Sequence, residues 1–224
     1  MKTAVQVTTS SVFALGLIGL SLFWPAGTLD YWQAWVFFGI FVAVSLVYTV
    51  YVGLTNPAVL RRRMNAGPQY ESRPVQKIVS SGVALSFFGL LVVSALDHRF
   101  GWSDVPIPLV VVGNVLTWVG LGIAMVVITQ NNYAAANITV EAGQAVVSTG
   151  LYGLVRHPMY FGVLVMLIGV PLALGSYWGL ALVAVDAVLF ATRIFDEEKA
   201  LTEELTGYRE YTQKVHSRLV PHVW

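Results

Sequence analysis

The sequence predicts an all-α, polytopic integral membrane bundle of about six transmembrane helices, five being the alternative count, with a C-terminal helical hairpin and an amphipathic tail helix. Three observations predict it. Hydrophobic residues make up 56% of the 224 and charged residues only 11%, whereas about a quarter of an ordinary soluble domain is charged. Six apolar segments, 7–25, 31–54, 75–96, 107–129, 158–175 and 177–194, approach the ~20 residues a helix needs to cross the hydrocarbon core. With six crossings, 12 of the 13 Lys and Arg residues fall on one face and only Arg99 falls on the other. Basic residues retained on the cytoplasmic side would make that face the cytoplasmic one.

The first segment follows Lys2 and leads to no small-residue cleavage site, so it reads as a first span and not as a removed signal. The second runs from Tyr31 and Trp32. Trp24, Trp102, Tyr177 and Trp178 also sit near span ends, where interfacial aromatics belong. Arg61, Arg62, Arg63, Arg73 and Lys77 separate spans two and three and anchor the topology. Asn114 in span four reads as an interhelical hydrogen bond. The longest loop, 130–155, carries Gln130, Asn131, Asn132 and Asn137, then Glu141-Ala142-Gly143-Gln144. A loop this long in a small bundle points to function. Two regions follow: 1–130, four spans facing lipid and acceptor, and 131–224, which holds the hairpin 158–194 and the tail.

Composition removes several classes of chemistry. The net charge of +1 gives no basic surface for nucleic acid. With no cysteine, disulfides, thiolate catalysis and thiolate-bound metals are excluded. His98, His216 and His222 show no metal-ligand spacing, so no metal is expected.

The hairpin concentrates the polar chemistry. Gly150-Leu151-Tyr152-Gly153-Leu154-Val155-Arg156-His157-Pro158-Met159-Tyr160 precedes or opens its first helix, and Arg193-Ile194-Phe195-Asp196-Glu197-Glu198 ends its second. Pro158 suits the first helical turn. A Gly175-Ser176 turn makes the two arms equal, so Arg156, His157 and Tyr160 should return to the depth of Arg193, Glu197 and Glu198. Free N–H groups at the start of the helix, with Arg156, would suit an anion. Arg193 and Glu197, four apart, share a face, and Tyr rings attract cations. A zwitterionic cofactor with a ring system fits this inventory. Asp186 lies mid-span, seven residues before Arg193 on the same face, and intramembrane acids are costly. It reads either as a substrate contact or as a polar contact inside the bundle. Leu201, Leu205, Tyr208, Thr212 and Val215 predict an amphipathic tail helix lying on the membrane or closing the site.

These residues resemble the isoprenylcysteine carboxyl methyltransferase family and the wider group of membrane phospholipid methyltransferases. The resemblance spans about 137–221. It rests on Ser148-Thr149-Gly150-Leu151-Tyr152, Arg156-His157-Pro158-Met159-Tyr160-Phe161-Gly162, Glu197-Glu198 with Leu201, and Gly207-Tyr208, Tyr211, Val215 and Pro221 in that order. It implies binding of S-adenosyl-L-methionine without a Rossmann domain. It assigns Gln144, Ala145, Val146, Val147, Tyr152, His157, Pro158, Met159, Tyr160 and Glu197 to the cofactor, with Asn137 beside them. It turns Arg193 toward the methyl acceptor, a lipid-like or prenylated molecule. Gln144 stands where eukaryotic members carry His.

A carboxylate acceptor is already ionised at neutral pH and needs a cation, Arg193, to place it. An amine acceptor needs a base, for which Glu198 or Asp186 would serve. The competing readings are an NADPH-dependent membrane reductase of the sterol-reductase type, suggested by Arg218-Leu219-Val220-Pro221, and a non-catalytic transporter or assembly factor.

Overall fold

The structure, a computed structural model, describes residues 2–64, 67–71, 73–133, 140 and 143–224. Asn137, Glu141 and Ala142 lie outside the described residues. Eight α-helices are present among the described residues, and no strand: Lys2–Ala26 (α1), Trp32–Thr55 (α2), Pro57–Met64 (α3), Pro74–Phe100 (α4), Ile107–Gln130 (α5), Pro158–Ala173 (α6), Leu180–Glu204 (α7) and Tyr208–Lys214 (α8). α1 from Gln6, α2, α4 and α5 are long and apolar enough to cross a membrane, while α6 is apolar but shorter. At 16 residues and about 1.5 Å per residue, α6 is roughly 24 Å long.

Six helices alternate in direction, and contacts at both ends fix the alternation. At one end, His98 contacts the Asp30 carbonyl at 3.2 Å, and Tyr31 donates to the Leu174 carbonyl at 2.6 Å. The Asp97 carboxylate there accepts from Ser103 Oγ at 2.7 Å and Ser176 Oγ at 2.5 Å. At the other end, Arg73 meets Asp196, Asn56 meets Asn132, and His157 meets Glu198. The α6–α7 hairpin therefore runs the height of the bundle. Its turn is broader than the expected two residues, because α6 ends at Ala173 and α7 starts only at Leu180. Gly175 takes φ +72° there, and Ser176 N–H returns to the Pro171 carbonyl.

α5 and α6 pack closest, along a seam of four glycines. A Cβ on Gly120 would collide with the Gly162 carbonyl and the Met166 backbone, and one on Gly169 would sit 2.6 Å from the Gly113 carbonyl. Gly113 and Gly120 are seven apart on α5, as are Gly162 and Gly169 on α6, so each pair lies on one helical face. Small residues of this kind let backbones approach where lipid offers no hydrophobic drive. Asn114 does not reach another helix: its amide donates to Val110 O in its own helix at 2.9 Å. The close approach at the neighbouring Gly113 brings backbone, not a side-chain partner, to this part of α6.

α7 continues past the expected end at 194 to Glu204, because a helix needs no apolar side chains once it leaves the membrane. The tail is thus an extension of α7, a break at Gly207 (φ +88°), and the short α8. Leu205, Tyr208, Tyr211 and Val215 form one buried cluster against Val140, Val146 and Leu201. Four of the five residues of the predicted stripe are in it, folded back on the protein, and Tyr211 takes the place expected of Thr212 because the break at Gly207 resets the helical phase.

Candidate active site

Phe190, Arg193, Glu197, Leu201 and Leu205 recur at steps of three and four, so α7 presents them on one face. All five line a cavity of about 660 Å³, within the range of about 300–1,000 Å³ typical of small-molecule sites. Gln144, Ala145, Val146, Val147, Tyr152, His157, Pro158, Met159 and Tyr160 line the same cavity. The structure therefore brings Arg193 together with the expected cofactor residues, whereas Asp186 and Glu198 are not in the cavity wall and Asn137 lies outside the described residues.

The cavity changes character along its length. Its inner end is apolar, walled by Phe41 of α2, Val83 and Phe87 of α4, Leu121 of α5, and Val163 and Phe190. A polar belt follows. Tyr160 donates to Glu197 Oε2 at 2.6 Å and accepts from Arg193 Nε at 3.0 Å. His157 stacks on Tyr160 with ring centroids 5.6 Å apart, and its Nδ1 lies 3.8 Å from Glu197. Beyond the belt, Val146, Tyr152, Leu201, Leu205, Tyr208 and Tyr211 form an aromatic and aliphatic outer chamber. Asn131 donates to the Tyr152 hydroxyl at 3.2 Å. Burial pushes that phenol up to about 12, so Tyr152 enters any chemistry protonated.

Adjacent glutamates on α7 have separate tasks. Glu197 faces the cavity with its side chain 24% exposed. Glu198 points away and clamps three groups: Arg156 Nε at 2.7 Å, Arg218 Nε at 2.9 Å and His157 Nε2 at 3.3 Å. Burial alone would raise this carboxyl, but hydrogen bonds from His157, Arg156 and Arg218 outweigh burial and bring it down to about 2. Glu198 is therefore a clamp, placed unlike a base for an amine acceptor. Arg156 is also committed to structure, because its Nη1 donates to the carbonyls of Val215 and His216. The N–H groups of Arg156 and His157 pair with Ser217 O and Arg218 O. The expectation that Arg156 offers its charge to an anion is corrected by these bonds. The tail is strapped beneath α6, and Arg218 lies over Phe195 at 5.2 Å and Trp224 at 5.8 Å.

Asp186 is fully buried between α7 and α4, and is not part of the cavity wall. Seven residues return it to the Arg193 face but put it about 10 Å deeper at 1.5 Å per residue. The substrate contact expected of it does not match this position.

Sequence reasoning missed the contribution of α4 and the loop before it. The Arg193 guanidinium donates through Nη1 to Gln76 Oε1 at 2.8 Å and Ser80 Oγ at 2.9 Å, and through Nη2 to Glu71 Oε1 at 2.9 Å. Gln76 also donates to Asp196 at 2.6 Å, beside Arg73 at 2.7 Å. One signal was present: Glu71 is the sole acid between Asp30 and Asp97, set next to a basic run.

The bundle and its one-ended polar belt define a helical membrane protein whose site opens both to an apolar interior and to a polar end. Residues 107–203, from α5 through nearly all of α7, match the isoprenylcysteine carboxyl methyltransferase (ICMT) family. No curated protein sequence matches the chain.

Proposed function

We propose that this protein is an integral membrane methyltransferase that uses S-adenosyl-L-methionine to methylate a lipid or isoprenoid-like acceptor, from a site at the cytoplasmic face. A prenylated carboxylate is the first acceptor to test. The observation that carries the reading is the order of chemistry along the cavity: outer aromatic chamber, charged belt, apolar pouch. Arg61, Arg73, Lys77, Lys199 and Arg209 cluster at the belt end of the bundle, and Arg99 lies at the other, which supports the cytoplasmic assignment.

The donor set fits the cofactor. Tyr152, Val146 and their neighbours offer flat, apolar walls for a purine nucleoside. Glu197, held by Tyr160, offers a negative charge to a cation, and His157 adds a second polar edge. When bound, S-adenosyl-L-methionine supplies an electrophilic methyl group. Gln144, Ala145, Val146, Val147, Tyr152, His157, Pro158, Met159, Tyr160 and Glu197 would hold it, and Arg193 would place the acceptor. Tyr160 holds Glu197 and Arg193 in fixed relation by one hydroxyl, so the cation site and the acceptor site stay in register. Alignment of this kind, with water excluded by the pouch, is the main need of a displacement reaction. A carboxylate acceptor requires no proton transfer from any of these side chains.

Calorimetry on the detergent-purified chain tests the cofactor: binding of S-adenosylhomocysteine and not of NADPH is expected, and binding of NADPH alone would overturn the reading. Labelled methyl transferred into a total membrane extract then identifies the acceptor. Release of the label as methanol in alkali indicates a methyl ester, and alkali-stable label indicates an amine.

A further inference from the structure

Arg193 is the residue of the α7 ladder that would place the acceptor, yet three of its hydrogen-bond partners among the described residues come from outside the family-matched segment. Glu71 precedes α4, and Gln76 and Ser80 lie on it. The Glu71 side chain is 2% exposed and that of Arg193 8%. Such a buried pair costs desolvation on both sides, and good geometry with further hydrogen bonds is needed to repay it. The geometry here is closed: Ser80 Oγ donates to Glu71 Oε1 at 3.1 Å while accepting from Arg193. Glu71, Arg193, Tyr160 and Glu197 thus form one hydrogen-bonded chain of 2.9, 3.0 and 2.6 Å links across the cavity.

Ser80 also lines the cavity itself, and continues on one face of α4 into Val83, Ala84 and Phe87. It stands where the polar belt gives way to the apolar pouch. A lipid-like acceptor entering the pouch tail-first leaves its polar head at this boundary.

We propose, resting on the methyltransferase reading, that Glu71 and Ser80 complete the acceptor side of the site. Glu71 is a positioning residue that fixes the Arg193 guanidinium, and Ser80, bonded to both Glu71 and Arg193, holds that pair at the boundary where the head of the acceptor comes to rest. The N-terminal region thereby supplies acceptor recognition to a cofactor site built by the C-terminal region. Both act on turnover through Arg193, and neither touches the cofactor.

The test uses the full chain in detergent, with S-adenosylhomocysteine affinity by calorimetry and labelled methyl transfer to a titrated total membrane lipid extract. Glu71→Gln keeps the shape but removes the charge. Loosening a positioned group by about 1 Å costs on the order of 100-fold, so turnover is expected to fall by one to two decades with S-adenosylhomocysteine affinity kept. Ser80→Ala removes the bond to Glu71 and the bond from Arg193 and leaves the helix intact. At about 0.5–1.5 kcal/mol per hydrogen bond, labelling at subsaturating extract is expected to fall roughly 2- to 12-fold, with S-adenosylhomocysteine affinity kept. A wild-type chain that binds S-adenosylhomocysteine and labels the extract, with both variants equal to it, would overturn the inference alone. Equal loss of cofactor binding in both variants would also overturn it, because the network would then serve the cofactor or the fold. A wild-type chain that binds no S-adenosylhomocysteine would overturn the functional reading, and the inference with it.

Discussion

Glu197 and Glu198 are chemically identical neighbours, and the structure separates them completely. Glu198→Gln removes the charge that Arg156, Arg218 and His157 share. The Arg156 and Glu198 side chains are only 7% and 13% exposed, so the broken pair approaches the buried class, worth about 3–5 kcal/mol. Glutamine keeps one acceptor for Arg156, and the Arg218 contact, 31% exposed on the arginine side, adds little. A net loss of about 2–4 kcal/mol follows, which at about 2–4 °C per kcal/mol for a chain of this size is a melting temperature lower by roughly 4–16 °C. Glu197→Gln touches no such clamp. On the proposed reading it would lose a charge-assisted contact to the ammonium group of the ligand, worth about 1.5–3 kcal/mol, or roughly 10- to 150-fold in S-adenosylhomocysteine affinity, with little change in melting. Thermal unfolding and calorimetry on the two purified variants read both axes. The reasoning fails if Glu198→Gln melts like wild type, or if Glu197→Gln binds S-adenosylhomocysteine like wild type.

Two further outcomes follow from the same geometry. Because the Glu198 carboxyl is brought down to about 2 when folded and returns to about 4.3 when unfolded, its contribution is fully present above about pH 5 and is lost as the pH falls toward 2. Melting temperature measured from pH 6 to pH 3 should therefore drop more steeply in wild type than in Glu198→Gln, and parallel curves would exclude the clamp as the acid-sensitive element. In the helix seam, Gly120→Ala drives a Cβ into α6 backbone. Overpacking costs about 1–3 kcal/mol, with the upper end expected because backbone cannot turn aside. Gly122→Ala, with nothing within 4 Å of the added carbon, is the control. Equal melting of the two alanine variants would refute the seam.

Hydropathy located the helices of the bundle well because one physical constraint dominates them. A span must be apolar for its whole length, so the expected 31–54 and 107–129 differ by a single residue at their ends from α2 and α5. The same signal failed where that constraint lapses. α7 leaves the apolar stretch near Ile194 and stays helical through Asp196, Glu197 and Glu198 to Glu204, since its backbone bonds do not depend on side-chain polarity. The glycine seam was illegible for another reason. Two pairs at a spacing of seven carry no message until the facing helix is known, and α5 and α6 are separated by the longest loop in the chain.

The site divides along the same line. His157, Pro158, Tyr160 and Glu197 were legible because a local turn and a four-residue step place them without reference to the rest of the fold. Glu71, Gln76 and Ser80 were not, because each is ordinary in its own segment and acquires its meaning only from Arg193, more than 110 residues away. Asp186 lies mid-span on α7, as its place in the sequence indicated, and only the packing of the neighbouring helices puts it outside the cavity wall. A side chain two turns below the polar belt cannot act there, whatever its charge. Arg193 is the junction of the two kinds of information. Its step to Glu197 is local and its charge partner is remote, so a substitution on α4 can alter the Arg193 end of the cavity while every residue of the C-terminal motif stays in place.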